Sequence, residues 1–451
     1  MKSFYRNLLA VIACISILGV TACGGATTET APQASASSSK ESNEAEASSV
    51  EETASIESNQ SPESEPEEPV DEKEPEAESQ ASTPEDTVVE PVVSDLDLSQ
   101  YTESSGFVFE SNNDGTCTLM EIGTCADTAI VIPQKSPDGD AVTKIEEYAF
   151  YKLDADTVVI NGLDVVIDSA AFEYGEFTSL IIANSTIETE SSVFSNCDKL
   201  QSIIINSSTV DFDEYSFYKV GKAGTLTISN CNGTLGDACF EYSDIENITI
   251  TSSDLAIEES SFSNCEDVVS LSITDSSIKA KEYAFYKIGD GATVEIANTD
   301  LVLEDAAFEY SSLAAVTISG ENVKMGTSAF ANVEDLTTLV IDGNSIELGE
   351  YAFYKNGDLE SVSICMNNNS DTNKIKIGDA AFEYSDILST VLIGKGEVEI
   401  GDSAFSNCTA LSNVTIESDA KVGDYTFYKC AEDLVITCAG QTYTSESIED
   451  K

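Results

Sequence analysis

Tyrosine and lysine recur as an adjacent pair along the chain, at Tyr151–Lys152, Tyr218–Lys219, Tyr286–Lys287, Tyr354–Lys355 and Tyr428–Lys429. An aromatic ring beside an ammonium is equipment for non-covalent contact, since tyrosine is favoured at interfaces, and a regular row of such pairs could grip an extended partner repetitively. It could equally be a trace of cassette copying. Covalent and acid–base chemistry is poorly supplied. The 451 residues contain no His, no Trp and a single Arg, Arg6, so imidazole acids and bases, imidazole-ligated zinc and bidentate guanidinium clamps are out of reach. No catalytic residue, no cofactor and no metal site is expected. With 82 acidic against 21 basic side chains the formal charge is −61, which repels polyphosphate and excludes nucleic acid as a partner.

The elements that must position these pairs form a repeat. A Phe in a small-residue context occurs thirteen times from Phe150 to Phe427, at intervals of 22 or 23 except for one of 29. Six to eight residues after each Phe comes a four-residue strand signal, as in TVVI from Thr157 or NVTI from Asn413. A unit with one strand and one Phe-bearing turn cannot bury its apolar face alone and gains a core only by stacking on its neighbours. The fold class is therefore a repeat solenoid of about 13 units with few helices. The text after the Phe cycles through FYK, FEY and FSN, so a three-unit cassette of about 68 residues has been copied in tandem.

In this frame Phe and the preceding Ala are core. Strand alternation turns the central residue of each strand outward, and that row opens with Val159, Ile181 and Ile204. Three adjacent apolar rungs could make an exposed patch of the kind that marks an interaction site, although β propensity favours the same residue types on any pleated surface. The interval of 29 separates Phe353 from Phe382 and carries CMNNNSDTNK, Cys365 to Lys374. A solenoid accepts an insertion only where it leaves the rung, so Asn367, Asn368 and Asn369 are candidate ligand contacts on a protruding loop, with a neutral insertion as the plain alternative. Cys197, Cys265 and Cys408 occupy a core position three or more rungs apart and read as buried thiols. Cys408 and Cys430 each follow their Phe by three residues in adjacent units, about 5 Å apart by rung spacing and within disulfide reach. A bond and a thiol ladder are both open.

The ends of the chain differ in composition. Lys2 and Arg6 precede an apolar run from Leu8 to Val20 that is too short to span a bilayer, and residues 1–22 read as a signal peptide. The ending Val20-Thr21-Ala22-Cys23 resembles the lipobox of bacterial lipoproteins. That resemblance implies a diacylglyceryl group on Cys23, export to the cell envelope, lipid anchoring at the cell surface and membrane contact through the anchor alone. Residues 26–98 hold 21 acidic and two basic side chains, seven of the nine prolines and no aromatic residue. Such a stretch cannot bury a core, so residues 23–98 are assigned to an acidic disordered tether. Residues 99–144 lie outside the Phe beat and read as an N-terminal β capping module, 145–437 as the solenoid and 438–451 as a C-terminal tail. Beyond the tether 61 acidic and 17 basic groups remain, a balance that favours a soluble monomer.

The unit IGDSAFSNCTALSNVTI, Ile400 to Ile416, resembles the repeat of the BspA-like leucine-rich-repeat surface proteins of bacteria, and the stretches GFVFE and IVIPQKSPDGDAVTKIEEYAF resemble the module that opens such arrays. The resemblance covers about 350 residues, and thirteen in-phase copies make it specific. It implies a leucine-rich-repeat solenoid with a continuous parallel sheet on one side. It also implies adhesion or protein recognition at a cell surface, with a host or neighbouring-cell protein or glycan as the partner. The alternative is a passive structural or spacer component of the envelope.

Overall fold

The computed structural model describes residues 96–222, 224–364 and 370–449. Most turns of the array contain two strands, where the sequence pattern suggests one. In the first full turn these are Thr157–Asn161 and Asp164–Ile167, joined by a two-residue corner. The second strand is short, and its inward residues Val165 and Ile167 are only two of four, too brief an alternation to stand out beside the TVVI-type signal. Stacking turns that signal into two parallel ladders of fourteen rungs each. In the first ladder Val158, Leu180, Ile203, Leu226 and Ile248 lie in register and point inward. In the second, Val165, Ile187 and Val210 do the same.

The corner between the ladders is a buried hydrogen-bonded spine. Ser253 Oγ donates to the Thr251 carbonyl at 2.8 Å and accepts the Cys231 N–H of the preceding rung at 3.1 Å. Ser185, Ser208 and Ser276 repeat this pattern. A small hydroxyl thus satisfies a backbone N–H that would otherwise be buried and unpaired, at a cost of about 1–3 kcal/mol. In two turns the corner disappears and one strand runs through both ladders, Leu313–Met325 and Thr338–Leu348. Gly320 lies at the first of these crossings, where a Cβ would sit 1.9 Å from the Thr299 carbonyl oxygen.

The third side is made by the Phe turns. The residues two before and two after each Phe have left-handed backbone, as at Tyr148 (φ 59°) and Lys152 (φ 57°). This alternation aims every second N–H at the next turn: Phe150 N–H donates to Ala171 O at 2.8 Å and Lys152 N–H to Glu173 O at 3.0 Å. The left-handed conformation costs about 1–2 kcal/mol per non-glycine residue, and the inter-turn hydrogen bonds offset it. Inside, thirteen Phe rings form one column, with consecutive centroids 4.6 to 5.7 Å apart. Phe107 of the N-terminal module closes the column edge-on against Phe150, at 5.7 Å and 84°.

Both ends are capped, which keeps the open ladder edges from templating further strands. At the start Val108–Ser111 pairs antiparallel with Thr116–Glu121, and Ser104 hydrogen-bonds the edge strand through Val131 and Ala129. At the finish Gln441–Tyr443 pairs antiparallel with Val435–Cys438, and the short helix Ser445–Glu449 buries Ile448. The residues expected as a tail therefore close the array.

The start of the described chain corrects one expectation. Leu96, Leu98 and Tyr101 pack across the outer face of the first ladder on Val131, Val159, Ile181 and Ala183. Val159 and Ile181 are 1% and 5% exposed, so the apolar patch is covered by residues of this same chain. Two leucines inside the stretch assigned to the tether act as a strap because burial there removes apolar surface from water on both partners. Ile204, one rung further on, is half-buried.

Candidate ligand-binding face

The turn side gathers fourteen of the chain's seventeen tyrosines. In the first FYK turn, Tyr148 and Tyr151 lie two before and one after the Phe, with ring centroids 5.5 Å apart and nearly perpendicular. Tyr151 then meets Tyr174 of the next turn at 5.8 Å. Lys152 Nζ stands 5.1 Å from the Tyr151 centroid and 5.9 Å from that of Tyr174, within cation–π range. The same group recurs as Tyr215, Tyr218, Tyr242 and Lys219, as Tyr283, Tyr286, Tyr310 and Lys287, and as Tyr351, Tyr354, Tyr384 and Lys355. Tyr425, Tyr428 and Lys429 form a last, incomplete copy at the C-terminal cap.

Each tyrosine group is flanked by polar side chains of the next two turns. The carboxylates of Glu173, Glu241, Glu309 and Glu383 accept from the amides of Asn196, Asn264, Asn332 and Asn407 at 3.0 to 3.4 Å. Burial raises the Glu173, Glu241 and Glu309 carboxyls above their ordinary range, against the lowering effect of those amides. The phenols of Tyr148, Tyr215, Tyr283 and Tyr351 are also raised, chiefly by the adjacent Glu147, Glu214, Glu282 and Glu350. Lysines elsewhere are used differently. On the second ladder Lys144 pairs with Asp168 at 2.6 Å and Lys376 with Glu347 at 3.2 Å, whereas the five turn lysines rest on rings and form no ion pair among the described residues.

The fold does not require tyrosine at these places. In the FSN turns the same three positions are Ser192, Ser195 and Asn196, Ser260, Ser263 and Asn264, or Ser403, Ser406 and Asn407, and the Phe column runs through them unbroken, with Phe240–Phe262 and Phe262–Phe285 stacked at 5.0 and 5.3 Å. The sequence row of Tyr151, Tyr218, Tyr286, Tyr354 and Tyr428 was thus the visible third of a larger set. Tyr148 and Tyr174 carry the same cassette beat, but their convergence on Tyr151 depends on left-handed turns that a pattern does not disclose. The beat survives the insertion: Phe353 stacks on Phe382 at 5.1 Å and Tyr354 meets Tyr384 at 5.7 Å. Asn367, Asn368, Asn369 and the lipidation candidate Cys23 lie outside the described residues.

Most of the described cysteines belong to the core. Cys197, Cys265, Cys408 and Cys430 donate from Sγ to the Phe carbonyl of the preceding turn at 3.1 to 3.3 Å. Ser243 and Ser311 do this with Oγ in other units, which explains why the position accepts either residue. Cys408 and Cys430 are free thiols, so of the two open readings the ladder is the one seen. Burial pushes Cys197, Cys265 and Cys430 up to about 12, and raises Cys239 and Cys408 as well.

Two ladders of short parallel strands, a stacked Phe column and a period of 22 or 23 residues define a leucine-rich-repeat solenoid. The model of the BspA type leucine rich repeat region matches in six copies over residues 143–268, 255–375 and 369–447, and the chain belongs to that family. Among solved structures it is similar to a leucine-rich repeat protein from Bacteroides ovatus, at 17% identity over 74% of this chain and 93% of that one, with a TM-score of 0.33. It is also similar to a leucine rich cell surface protein from Faecalibacterium prausnitzii, at 21% identity over 70% and 93%, with a TM-score of 0.29. No curated protein matches.

Proposed function

We propose that the protein is an exported, lipid-anchored surface protein that recognises a macromolecule through the tyrosine–lysine face of its solenoid. The observation that carries this reading is the surplus of tyrosine over what the fold needs, since Ser192, Ser195 and Asn196 build the same turn without it. Half-exposed rings are costly to leave in water unless a partner covers them, and tyrosine supplies contact area with few rotatable bonds. Membership of the BspA-type family and the cell-surface description of the Faecalibacterium prausnitzii protein support an exported location. The sequence Val20-Thr21-Ala22-Cys23 and the acidic stretch behind it supply the anchor and the tether in this reading.

Two experiments test it. The purified full chain is applied to an array of glycans and extracellular proteins beside a variant with Tyr151, Tyr218, Tyr286, Tyr354 and Tyr428 all changed to Ser. Recognition through this face requires a signal that the variant loses; a blank array, or one the variant reproduces, favours a spacer role. Replacing Cys23 by Ser should abolish incorporation of labelled palmitate and release the protein from membranes. Persistent labelling would refute the anchor.

A further inference from the structure

We infer that the four complete tyrosine groups are equivalent subsites for an uncharged, regularly repeating polysaccharide, a conclusion that rests on the recognition role proposed above and names its ligand class. Three observations lead here. The groups are copies of one another in residue type and geometry, with Tyr–Tyr separations of 5.3 to 5.5 Å within a turn and 5.7 to 6.0 Å between turns. They recur every third rung, roughly 14 to 15 Å apart at the usual strand spacing. Identical sites at equal spacing on one rigid face are used together only by a ligand that itself repeats.

The chemistry of each site selects the ligand. Beside the rings stand a carboxylate, an amide and a lysine, as in Glu173, Asn196 and Lys152, and the phenol hydroxyls add donors. This set hydrogen-bonds hydroxyl groups, while the C–H face of a pyranose, apolar and slightly positive, suits the negative face of an aromatic ring. A protein partner would instead seek a desolvated pocket for an aromatic or aliphatic anchor. Apart from tyrosines, the large hydrophobics exposed among the described residues are Val108, Val269, Ile387 and Val435, and of these only Ile387 shares a unit with a complete tyrosine group, three residues after Tyr384. Charge decides the rest. Each site sets one lysine against two glutamates, as Lys152 against Glu147 and Glu173, on a body whose 61 acidic and 17 basic groups repel polyanions.

Four weak sites on one polymer multiply. Linking sites raises avidity by 10² to 10⁴, so each site beyond the first contributes about 5- to 20-fold. The test rewrites the groups with residues the array already uses at the same places: Tyr148→Ser, Tyr151→Ser and Tyr174→Asn for the first, and the matching changes for the others. The full chain and variants lacking one, two, three or four groups are run in native gels containing glucomannan, xylan, mixed-linkage β-glucan or starch, with hyaluronan as the anionic control. Far-UV circular dichroism checks each fold. The expected result is retardation by a neutral polysaccharide, weakening about 5- to 20-fold with each group removed whichever is removed first, and none by hyaluronan. Retardation that one particular group abolishes, or that survives loss of all four, overturns the inference. So does no retardation in any neutral gel. If in that case an arrayed extracellular protein still binds in a tyrosine-dependent way, the ligand is a protein and the recognition role stands; if nothing binds, both fall.

Discussion

The strap formed by Leu96, Leu98 and Tyr101 can be removed without touching the array that it covers. Full burial of a leucine side chain is worth about 1.5–3 kcal/mol. Leu96 and Leu98 are half-buried against Val159 and Ile181, so changing both to Ser should weaken docking by about 2–3 kcal/mol in total. The inward residues Val158, Leu180 and Ile203 belong to a separate cluster, and the ladders should persist. In an array of this size the melting temperature should fall by no more than about 5 °C. The local effect should be much larger. The Val131 N–H donates to Ser104 Oγ at 3.2 Å, just beyond the strap, and a docking loss of 2–3 kcal/mol should speed its hydrogen exchange by about 30- to 150-fold if exchange follows strap opening. Exposed Val159 and Ile181 should also raise the fluorescence of an apolar dye. Unchanged Val131 protection with no dye binding would show that the strap is not docked in solution. Loss of the far-UV signal would show that it supports the whole array.

Three further outcomes follow from the core. Thiolates, not thiols, are alkylated, and with Cys197, Cys265 and Cys430 raised to about 12 by burial, iodoacetamide at pH 8 should leave them unmodified until denaturant is added; intact mass before and after unfolding reads this, and rapid native labelling of Cys197 would contradict it. Ser253→Ala strands the Cys231 N–H and should cost about 1–3 kcal/mol in a denaturant titration, whereas Ser253→Cys should cost less, because Cys231 fills the equivalent place with Sγ 3.2 Å from the Ser229 carbonyl. Deleting residues 366–372 should move the melting temperature by no more than about 2–4 °C, since the Phe353–Phe382 stack already spans the insertion at 5.1 Å; collapse of the melting transition would place the segment in the core.

The sequence alone determined the period, the Phe column and the three-turn cassette, because residues such as Phe150, Phe172 and Phe194 repeat at an interval that one turn of a stacked array must have. It also identified the Tyr151 row, since copying preserves identity at a fixed offset. Three features waited for the tertiary structure. The second ladder is built from strands as brief as Asp164–Ile167, whose alternation is too short to register until a neighbour pairs with it. The fate of Val159 and Ile181 turned on Leu96 and Leu98, whose contact is long-range and whose local composition resembles that of an unstructured linker. The tyrosine groups required Tyr148, Tyr151 and Tyr174 to meet across two turns. That meeting depends on left-handed backbone at Tyr148 and Tyr174, a conformation no local propensity of tyrosine favours and one that hydrogen bonds from turn to turn hold in place.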